Sequence, residues 1–530
     1  MQNILKFSNK YIKTHHNKID KLSPNIDIVE VSTFLIENYH IDVQLDQDII
    51  KPFTSDWSNL PGGKADLLIR PKTAEESAIV LRICKMQKIP ITISAGQTNL
   101  TGSATPQGGV IISTSQLKEI PISINMDEQL VHTSVGFPLE EMRDKVLEDS
   151  DNKLYYPVDP TSRHDAYVGG TLSCNASGFI PGEKGATRYW VQAIELILLN
   201  GFSLQIKRGD YISKNGKFIL KCGYEIISMP IPQYKRPNIK NASGPFSSMN
   251  SEIDFIDLII GSEGIFGMIT ECTFNLDRKP KNSLELFLRL ENEDKAILLH
   301  QFLYDKFKGD MSKVTALEYF GYNCHAYMKN KSFLFNHDDE VGLYIQIPIF
   351  NGDLDMQTVE WSQLLIQFDS KFNLDDIIVL NDPANWKIFF EARHSIPDNA
   401  LMKTKKLGGI SIITDTIVPI NNFKQYLDKI HLKLRNYNIE YLLFGHLGDC
   451  HLHFHLIPNV DQNNLSIEIY DYMVDLSAEL GGVYSAEHGT GKRKRNDFKK
   501  CYGKEAVEMV RRSKLSVDPD LLLNRGNVFS

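Results

Sequence analysis

The chain has 530 residues, which is enough for two or three domains with a large buried core. Hydrophobic residues make up 42% of it and charged residues 23%, which is typical of soluble globular proteins. The formal charge of -8 at pH 7 argues against a nucleic-acid partner, because no basic face is indicated by the totals.

The cysteines and the N-terminus bear on the cellular compartment. Seven cysteines are scattered without a Cys-x-x-Cys pair, which indicates a reducing compartment and gives no support to an iron–sulfur cluster. No apolar run approaches the roughly 20 residues of a membrane span, and the first residues lack a secretory core. These features predict a cytoplasmic protein, and peripheral attachment to the inner membrane stays open.

The first part of the chain reads as an extension followed by a βαβ unit. Residues 1 to about 50 mix helical stretches with polar breaks, and we interpret them as a surface extension without chemistry. A strand then precedes a helix for which Thr73 is the predicted N-cap, with Glu76 closing a capping box. A β-branched run at 91–93 gives the second strand, and a loop of small residues follows it.

That small-residue loop, residues 94–102, is followed by another apolar run at 109–113. A strand, small-residue loop and strand can turn successive backbone N–H groups toward one anion. Taken alone, the loop is more simply explained as an ordinary turn. Further segments rich in small residues occur at 156–162, 168–178 and 257–270, and their combination favours a ligand site.

Between and beyond these segments the pattern is mixed. Asn200-Gly201 between two apolar runs predicts a hairpin, and the Pro/Ser/Asn-rich insert at 228–252 is interpreted as a solvated loop, although loops of this length are often functional. Later strands are predicted at 284–290, 341–349 and 410–417, with a helix at 296–307. Strands alternating with amphipathic helices indicate a second domain of α+β type.

The highest concentration of potential metal-binding and catalytic side chains is in the segment His446-Leu447-Gly448-Asp449-Cys450-His451-Leu452-His453-Phe454-His455. An apolar strand ends at His446, and His451, His453 and His455 share one face of a second strand. His446 and His453 converge only if the Gly-Asp turn lies between two strands. A single histidine is usually a satisfied core or surface side chain, but four within ten residues indicate a divalent metal site, with zinc favoured.

From about residue 50 to the C-terminus, these segments resemble, in order, the FAD-binding vanillyl-alcohol oxidase / p-cresol methylhydroxylase superfamily. Within it they are most similar to the branch of D-lactate, glycolate and D-2-hydroxyglutarate dehydrogenases. The resemblance implies an α+β fold with a two-subdomain FAD-binding domain of the PCMH type at 51–280. A substrate-binding α+β cap would follow at 281–510, and a C-terminal segment at 511–530 would return to the FAD domain.

The resemblance also implies which residues contact FAD. They are Ser94, Ala95, Gly96, Gln97, Thr98, Asn99, Gly102, Pro157, Asp159, Ser162, Gly169, Gly170, Asn175, Ser177, Gly178, Gly264, Ile269 and Asn524. Relatives carry more glycine where this chain has Ala95 and Gln97, and both suit backbone contact only if their φ angles are negative. The loop at 94–102 has no histidine, which favours non-covalent FAD.

For the metal and the chemistry, the resemblance implies His446, His453 and Glu487 as ligands that leave an open coordination position. It implies His488 as the general base and Arg393 as the anchor of a substrate carboxylate, although a surface arginine in a helix is the plain alternative for Arg393.

Several positions of the pocket differ from the resembling branch. Asp415 matches a family position, but the lysine usual two residues before it is Ile413 here. Cys450-His451 replaces Gly-Asn, and His455 replaces an asparagine of the hydroxyglutarate branch. The identity of the acid is therefore not carried over from the relatives.

The implied reaction is oxidation of a small-molecule D-2-hydroxy acid to the 2-oxo acid, with the substrate hydroxyl on the metal and hydride passing to FAD N5. The electrons would go to an unidentified acceptor, such as a quinone, a cytochrome or an electron-transfer protein. Two alternatives stay open: an FAD-dependent oxidase or dehydrogenase of another small alcohol or sugar acid, and a non-catalytic flavin-binding subunit.

Overall fold

The computed structural model describes residues 9–222, 225–249 and 252–530. In these residues the strands are β1 Asp42–Gln44, β2 Leu67–Arg70, β3 Ile91–Ser94, β4 Val110–Ser113, β5 Ser123–Asn125, β6 Leu130–Ser134, β7 Leu154–Tyr155, β8 Val191–Ile197, β9 Ser203–Lys207, β10 Lys217–Cys222, β11 Glu225–Pro230, β12 Met268–Asn275, β13 Asp277–Arg278, β14 Asn282–Leu290, β15 Ala316–Phe320, β16 Val341–Ile349, β17 Ile377–Val379, β18 Ile412–Ile413, β19 Tyr441–His446 and β20 His451–Leu456. The helices are α1 Asn9–Ile19, α2 Ile28–Tyr39, α3 Gln47–Ile50, α4 Ala74–Met86, α5 Leu139–Asp149, α6 Val168–Cys174, α7 Thr187–Trp190, α8 Phe255–Ile259, α9 Glu293–Lys306, α10 Lys331–Leu334, α11 Leu354–Phe368, α12 Pro383–Lys406, α13 Ile420–Asn436, α14 Asn463–Glu479 and α15 Arg495–Val517.

The first subdomain is built on a four-stranded sheet of order β1-β2-β4-β3. The predicted βαβ unit is confirmed, with β4 lying between β2 and β3 and parallel to both. Thr73 caps α4, because its hydroxyl accepts the N–H of Glu76 at 3.1 Å. The Glu76 carboxylate reaches back to the N–H of Lys72 at 2.6 Å, one residue earlier than a capping box requires.

The interpretation of residues 1 to about 50 as a surface extension is wrong for the part that the structure describes. Strand β1 pairs antiparallel with β2, and Ile19, Leu35 and Ile41 are buried in the core of the first subdomain. Arg82 of α4 forms an ion pair with Asp20 at 2.8 Å. This segment belongs to the first subdomain because its apolar side chains cover α4 and the sheet edge; residues 1–8 lie outside the described residues.

The second subdomain is a five-stranded antiparallel sheet of order β5-β6-β12-β8-β9. The predicted hairpin at Asn200-Gly201 is confirmed, since β8 pairs with β9 and Gly201 has the positive φ of +80° that the connection requires. Both subdomains share one hydrophobic core. The cleft described below opens beside β3 of the first sheet and β12 of the second.

The cap is a seven-stranded antiparallel sheet of order β17-β14-β16-β15-β19-β20-β18. The predicted strands at 284–290 and 341–349 are β14 and β16, and the predicted helix is α9. The strand predicted at 410–417 is much shorter, because β18 ends at Ile413 and the next residues turn toward the site. Thr414 still donates its N–H to the Phe454 carbonyl at 3.0 Å, and the Asp415 side chain accepts the N–H of His488 at 3.0 Å.

The C-terminal segment packs on the first subdomain. Ile91 of β3 donates its N–H to Leu522 at 2.9 Å and accepts the N–H of Asn524 at 2.7 Å. The return begins earlier than residue 511, however, since Tyr484, Phe498 and Val510 already belong to the core of the first two subdomains. None of the helices that the structure describes is long and apolar enough to span a bilayer.

A pair of buried carboxyl groups makes the second sheet sensitive to pH. Glu195 of β8 and Glu271 of β12 are cross-strand partners, and both are buried. Burial raises the pKa of Glu195 to about 7, and burial together with Glu195 raises the pKa of Glu271 to about 8.

We predict that thermal stability falls between pH 5 and pH 8 because of this pair. Folded pKa values above the unfolded ones mean that the native state binds more protons, so the stabilising contribution is complete at low pH and is lost as pH rises through 7 to 8. Glu271→Gln stays neutral and should flatten this dependence in melting curves. The same change at exposed Glu37 should not, and an unchanged slope in Glu271→Gln would contradict the assignment.

Candidate active site

A cleft runs between the two subdomains and the cap, with a volume of about 1400 Å³ that includes space open to solvent. Fourteen of the eighteen residues predicted to contact FAD line it: Ala95, Gly96, Gln97, Thr98, Asn99, Asp159, Ser162, Gly169, Gly170, Ser177, Gly178, Gly264, Ile269 and Asn524. His446, Glu487 and His488 line the same cleft. The structure therefore brings the predicted cofactor segments, two of the three predicted metal ligands and the predicted base to one cleft; His453 and Arg393 are not part of its lining.

The other four predicted cofactor residues, Ser94, Gly102, Pro157 and Asn175, are not part of the cleft lining. Ser94 is fully buried in β3. Asn175 ends α6 in a left-handed conformation and accepts the N–H of Arg188 at 2.9 Å. The Asn175 side chain is thus committed to the fold, whereas the Ser94 hydroxyl has no hydrogen-bond partner among the described residues.

The condition of a negative φ angle is not met at Gln97 of the small-residue loop, which has a φ of +57°. A left-handed backbone conformation is sterically unfavourable for a non-glycine residue, so other contacts must stabilise it at Gln97. The side-chain amide of Gln97 donates to the backbone carbonyls of Pro52 and Ser55. The backbone carbonyl of Gln97 accepts the N–H of Trp57 at 3.0 Å. The preceding segment thus fixes the loop shape that glycine would otherwise provide.

The cleft fits a polar, extended cofactor. Its floor is made largely by glycines and small residues; at Gly170 an added Cβ would lie 3.3 Å from the Cβ of Ala95 and would narrow the passage. The Thr114 hydroxyl also lines the cleft, and it is buried without a hydrogen-bond partner among the described residues. A buried hydroxyl of this kind indicates a ligand or solvent partner.

One cleft residue that sequence reasoning missed is Glu263. Its carboxylate accepts the N–H groups of Thr490 at 2.6 Å and Gly491 at 2.8 Å, together with the hydroxyl of Ser103. The Asn524 amide donates to the Glu263 carbonyl at 2.7 Å. This single acid ties the loop after His488 to the first subdomain. Its position as the acid in Gly-Ser-Glu-Gly was the available signal.

The predicted histidine hairpin is confirmed. Strands β19 and β20 pair antiparallel around a turn at 447–450, and His446 lies opposite His451. His453 Nδ1 lies 2.8 Å from the carbonyl of Thr414, which can only accept, so this nitrogen carries the proton and Nε2 keeps its lone pair. Burial and the neighbouring His451 lower the pKa of His453 to about 3, which keeps the imidazole neutral, as a metal ligand must be.

His446 is oriented by an acid from another strand. Its Nδ1 lies 2.6 Å from Oε1 of Glu318, which is its cross-strand partner on β15. Burial alone would lower the pKa of His446, but Glu318 and Glu487 raise it to about 10. A carboxylate that holds one ring nitrogen and leaves the other free is typical of metal-ligating histidines.

Glu487 joins these imidazoles into one cluster. Its Oε1 lies 3.7 Å from Nε2 of His446, of His453 and of His488. Lys240 and His446 hold the pKa of Glu487 well below its usual range although burial opposes this. Ligand atoms each roughly 2.0–2.1 Å from a tetrahedral zinc ion lie about 3.4 Å apart, so the donor set of His446, His453 and Glu487 fits a zinc-like ion.

His451 also belongs to the cluster by distance, with its ligand atom within 4.8 Å of those of His446, His453 and Glu487. Its Nε2, however, faces Oδ1 of Asp415 at 3.2 Å. His455, predicted to share the same face, bonds the Ser411 hydroxyl through Nε2 at 2.7 Å. Nε2 of each imidazole therefore faces another residue, whereas Nδ1 of both is buried without a hydrogen-bond partner among the described residues.

Asp415 holds the loop that carries Glu487 and His488. It is fully buried and accepts the backbone N–H groups of both residues, at 3.2 and 3.0 Å. It also accepts from the Ser485 hydroxyl and pairs with Lys494 at 2.8 Å. Burial opposes its charge, but His488 and Lys494 hold the pKa of Asp415 well below its usual range.

His488 is the predicted general base. Its Nδ1 lies 3.4 Å from Oδ2 of Asp415, which directs the ring proton to Nδ1 and leaves Nε2 toward Glu487 and the cleft. Burial lowers the pKa of His488, and Asp415 partly opposes that effect. The arrangement is a neutral, oriented imidazole at the cleft wall.

Arg393, the predicted carboxylate anchor, is not a free surface residue. It lies on α12, with 21% of its side chain exposed, and its Nη2 donates to Glu318 at 3.2 Å. The Phe179 ring lies 4.8 Å from the guanidinium carbon. His446 and Arg393 together hold the pKa of Glu318 at about 2 although burial opposes this. Glu318 was missed in the sequence, where an acid inside the apolar strand Ala-Leu-Glu-Tyr-Phe was the only signal.

The interpretation of the 228–252 insert as a solvated loop is wrong, because it begins within β11, Ile231 and Tyr234 are buried, and so is Lys240. Its side chain is only 2% exposed, and its ammonium lies 3.2 Å from Oε2 of Glu487. The insert enters the site because a buried carboxylate needs a compensating charge. Nothing in the local sequence pattern marks this lysine.

The comparisons with known proteins agree with this geometry. A family model of the FAD binding domain matches residues 65–206, and one of the FAD linked oxidases, C-terminal domain, matches residues 337–528. D-lactate dehydrogenase of Anaerostipes hadrus is 25% identical over 501 residues, which cover 92% of this chain and 94% of that protein. The glycolate oxidase subunit GlcD of Bacillus subtilis (strain 168) is 26% identical over 487 residues, 90% and 91% of the two chains.

One further relative and one solved structure are similar to this chain. The mitochondrial D-2-hydroxyglutarate dehydrogenase of Danio rerio is 24% identical over 481 residues, 90% of this chain and 81% of that protein. The crystal structure of p-cresol methylhydroxylase with substrate bound superimposes with a TM-score of 0.67 at 13% identity, covering 92% of this chain and 93% of the other.

The fold and these matches define an FAD-linked oxidoreductase. The chain carries an FAD binding domain and the C-terminal domain of FAD linked oxidases, and its fold is similar to that of p-cresol methylhydroxylase, in agreement with the resemblance found in the sequence.

We predict that His453→Ala loses metal affinity while it retains FAD. Removing a residue that hydrogen-bonds to a metal ligand lowers metal affinity roughly 10–100-fold. Removing the ligand itself should lower metal affinity further. The zinc content after dialysis against buffered Zn²⁺ measures the metal affinity. The absorbance of bound flavin shows whether the variant is still folded.

His455→Gln serves as the control for His453→Ala, because His455 lies on the same strand but bonds Ser411. Zinc binding by this variant should match the wild type. Equal zinc binding by His453→Ala and the wild type would contradict the ligand assignment.

Proposed function

We propose that this chain oxidises a D-2-hydroxy acid of the D-lactate, glycolate or D-2-hydroxyglutarate class to the 2-oxo acid. One observation carries the proposal: His446, Glu487 and His488 line the same cleft as the fourteen predicted FAD-contacting residues. Oxidation of an alcohol needs an electron acceptor and a proton acceptor at the same carbon–oxygen unit. This cleft offers positions for both.

The groups to be bound there are FAD and a divalent ion, with zinc favoured. FAD supplies a two-electron oxidant, and a divalent ion at His446, His453 and Glu487 supplies positive charge that makes an alcohol proton easier to remove. We infer that FAD is held without a covalent bond, because the loop at 94–102 has no histidine.

The task of His488 is to take the hydroxyl proton of the substrate. Its Nδ1 faces the buried carboxylate of Asp415 at 3.4 Å, so Nε2 is the nitrogen left to accept a proton from the cleft. Asp415 also holds the backbone of His488. The imidazole is thus oriented by both its ring and its main chain, which is what efficient proton transfer requires.

The task of Arg393 is to hold the substrate carboxylate. Glu318 engages Nη2 of its guanidinium, and the other N–H groups of this five-donor side chain can serve a second carboxylate. Phe179, which lines the cleft, packs against the guanidinium and fixes its plane. The electrons would leave to a quinone, a cytochrome or an electron-transfer protein.

We predict that the purified protein is yellow and that D-lactate or D-2-hydroxyglutarate bleaches it under anaerobic conditions. The L-isomers should not, because the base and the cofactor would act on fixed faces of the substrate. Absorbance of the flavin near its visible maximum measures the reaction. If the metal is present and none of the D-acids bleaches the flavin, the substrate would instead be another small alcohol or sugar acid.

The same titration tests the third candidate, a non-catalytic flavin-binding subunit. Retained flavin without any bound metal and without bleaching by any substrate would favour that role. A panel of chiral hydroxy acids in one anaerobic series therefore separates all three functions.

We predict that His488→Ala keeps FAD and metal but reduces its flavin about 10²–10⁴-fold more slowly, the usual contribution of a positioned proton acceptor. Stopped-flow flavin reduction with D-acid measures it. His394→Ala, an exposed histidine on α12, should reduce its flavin at the wild-type rate. A wild-type rate in His488→Ala would show that another group is the base.

A further inference from the structure

Lys240 is a charged side chain that the proposed reaction leaves without a role. It comes from the insert at 228–252, far in sequence from the histidine hairpin, and only 2% of its side chain is exposed. Its ammonium lies 3.2 Å from Oε2 of Glu487 and 3.4 Å from Oδ2 of Asp449. A lysine is almost never removed from water to this extent unless it is paired.

The two oxygens of Glu487 have different surroundings. Oε1 faces the Nε2 atoms of His446, His453 and His488 at 3.7 Å. Oε2 faces the ammonium of Lys240 and, at 3.5 Å, the hydroxyl of Ser177. The terminal torsion of a glutamate is broad and roughly two-fold, so the carboxylate plane would turn easily if neither oxygen were held.

Asp449 connects the same ammonium to the histidine hairpin. It lies in the turn between β19 and β20, the strands that carry His446 and His453. Its other oxygen, Oδ1, accepts the N–H of Gly182 at 2.7 Å. One ammonium therefore fixes Glu487 relative to the turn that sets the spacing of the two imidazoles.

We propose that Lys240 is a positioning residue: it holds Oε2 of Glu487, so that Oε1 is the single carboxylate oxygen presented beside Nε2 of His446 and of His453. The inference rests on the proposed function, since it takes His446, His453 and Glu487 as the ligands of a divalent ion. Lys240 itself touches neither the ion nor the substrate. Its effect is on the orientation of a ligand, in the manner of the hydrogen-bonding partners that surround metal sites.

The test compares Lys240→Met with the wild type, both loaded with FAD. Methionine has a similar length and no charge, so Glu487 loses its partner and its plane is no longer fixed. We expect Zn²⁺ affinity, measured by competition with a chromogenic chelator, to fall about 10–100-fold. Lys235→Met, an exposed lysine of the same insert, is the matched control and should bind Zn²⁺ as the wild type does.

A second readout separates positioning from general loss of stability. Co²⁺ replaces zinc in such sites, and its visible absorption reports the number and geometry of its ligands. In Lys240→Met the bands should shift as Glu487 offers both oxygens, and Lys240→Arg should restore part of the affinity and the wild-type bands. Lys235→Met should keep the wild-type spectrum.

Asp449→Asn carries the test if Lys240→Met does not retain FAD. Asparagine keeps an oxygen for the N–H of Gly182 but removes one charge from the ammonium, so a smaller loss of Zn²⁺ affinity is expected. Zn²⁺ affinity and Co²⁺ spectra equal to the wild type in Lys240→Met would overturn the role of Lys240. Flavin that no D-acid bleaches, in protein that binds Zn²⁺ normally, would instead overturn the proposed substrate and leave this inference standing.

Discussion

The site depends on one buried carboxylate, that of Asp415. It is fully excluded from solvent, and an isolated charge in such a place would be very costly. Two backbone N–H groups, a hydroxyl, Lys494 and the imidazoles of His451 and His488 surround it. Because each partner satisfies the charge, Asp415 in turn fixes the loop on which Glu487 and His488 face the cleft.

The cleft exists because two separate cores meet along this loop. The histidine hairpin belongs to the sheet of the cap and packs on its core. The loop that follows His488 is bound instead to Glu263, which precedes β12 of the second subdomain. The N–H groups of Thr490 and Gly491 make this contact. A cofactor in the cleft would therefore touch both domains, and any movement between them would change the distance from the base to the cofactor.

Much of this could be predicted from the sequence, and the failures have a common physical cause. The hairpin, the strands β14 and β16 and the convergence of His446 with His453 follow from local alternation and turn chemistry, which operate within a few residues. Glu318 reaches His446 only because β15 and β19 pair in one register, and Lys240 arrives from an irregular insert. Contacts of these two kinds are set by tertiary packing, for which a local pattern carries no signal.

The same contacts explain why the cluster favours a cation. Around the imidazoles lie four carboxylates, the buried ones of Glu318 and Asp415 and the partly buried ones of Asp449 and Glu487. Three basic side chains oppose them, those of Lys240, Arg393 and Lys494. One negative charge is left over in a region with little water, where it interacts strongly. Burial lowers the pKa of His446, but two of these carboxylates, those of Glu318 and Glu487, raise it to about 10. A divalent ion held by the three predicted ligands would interact with the same carboxylates, so we expect residues beyond those ligands to contribute to its affinity.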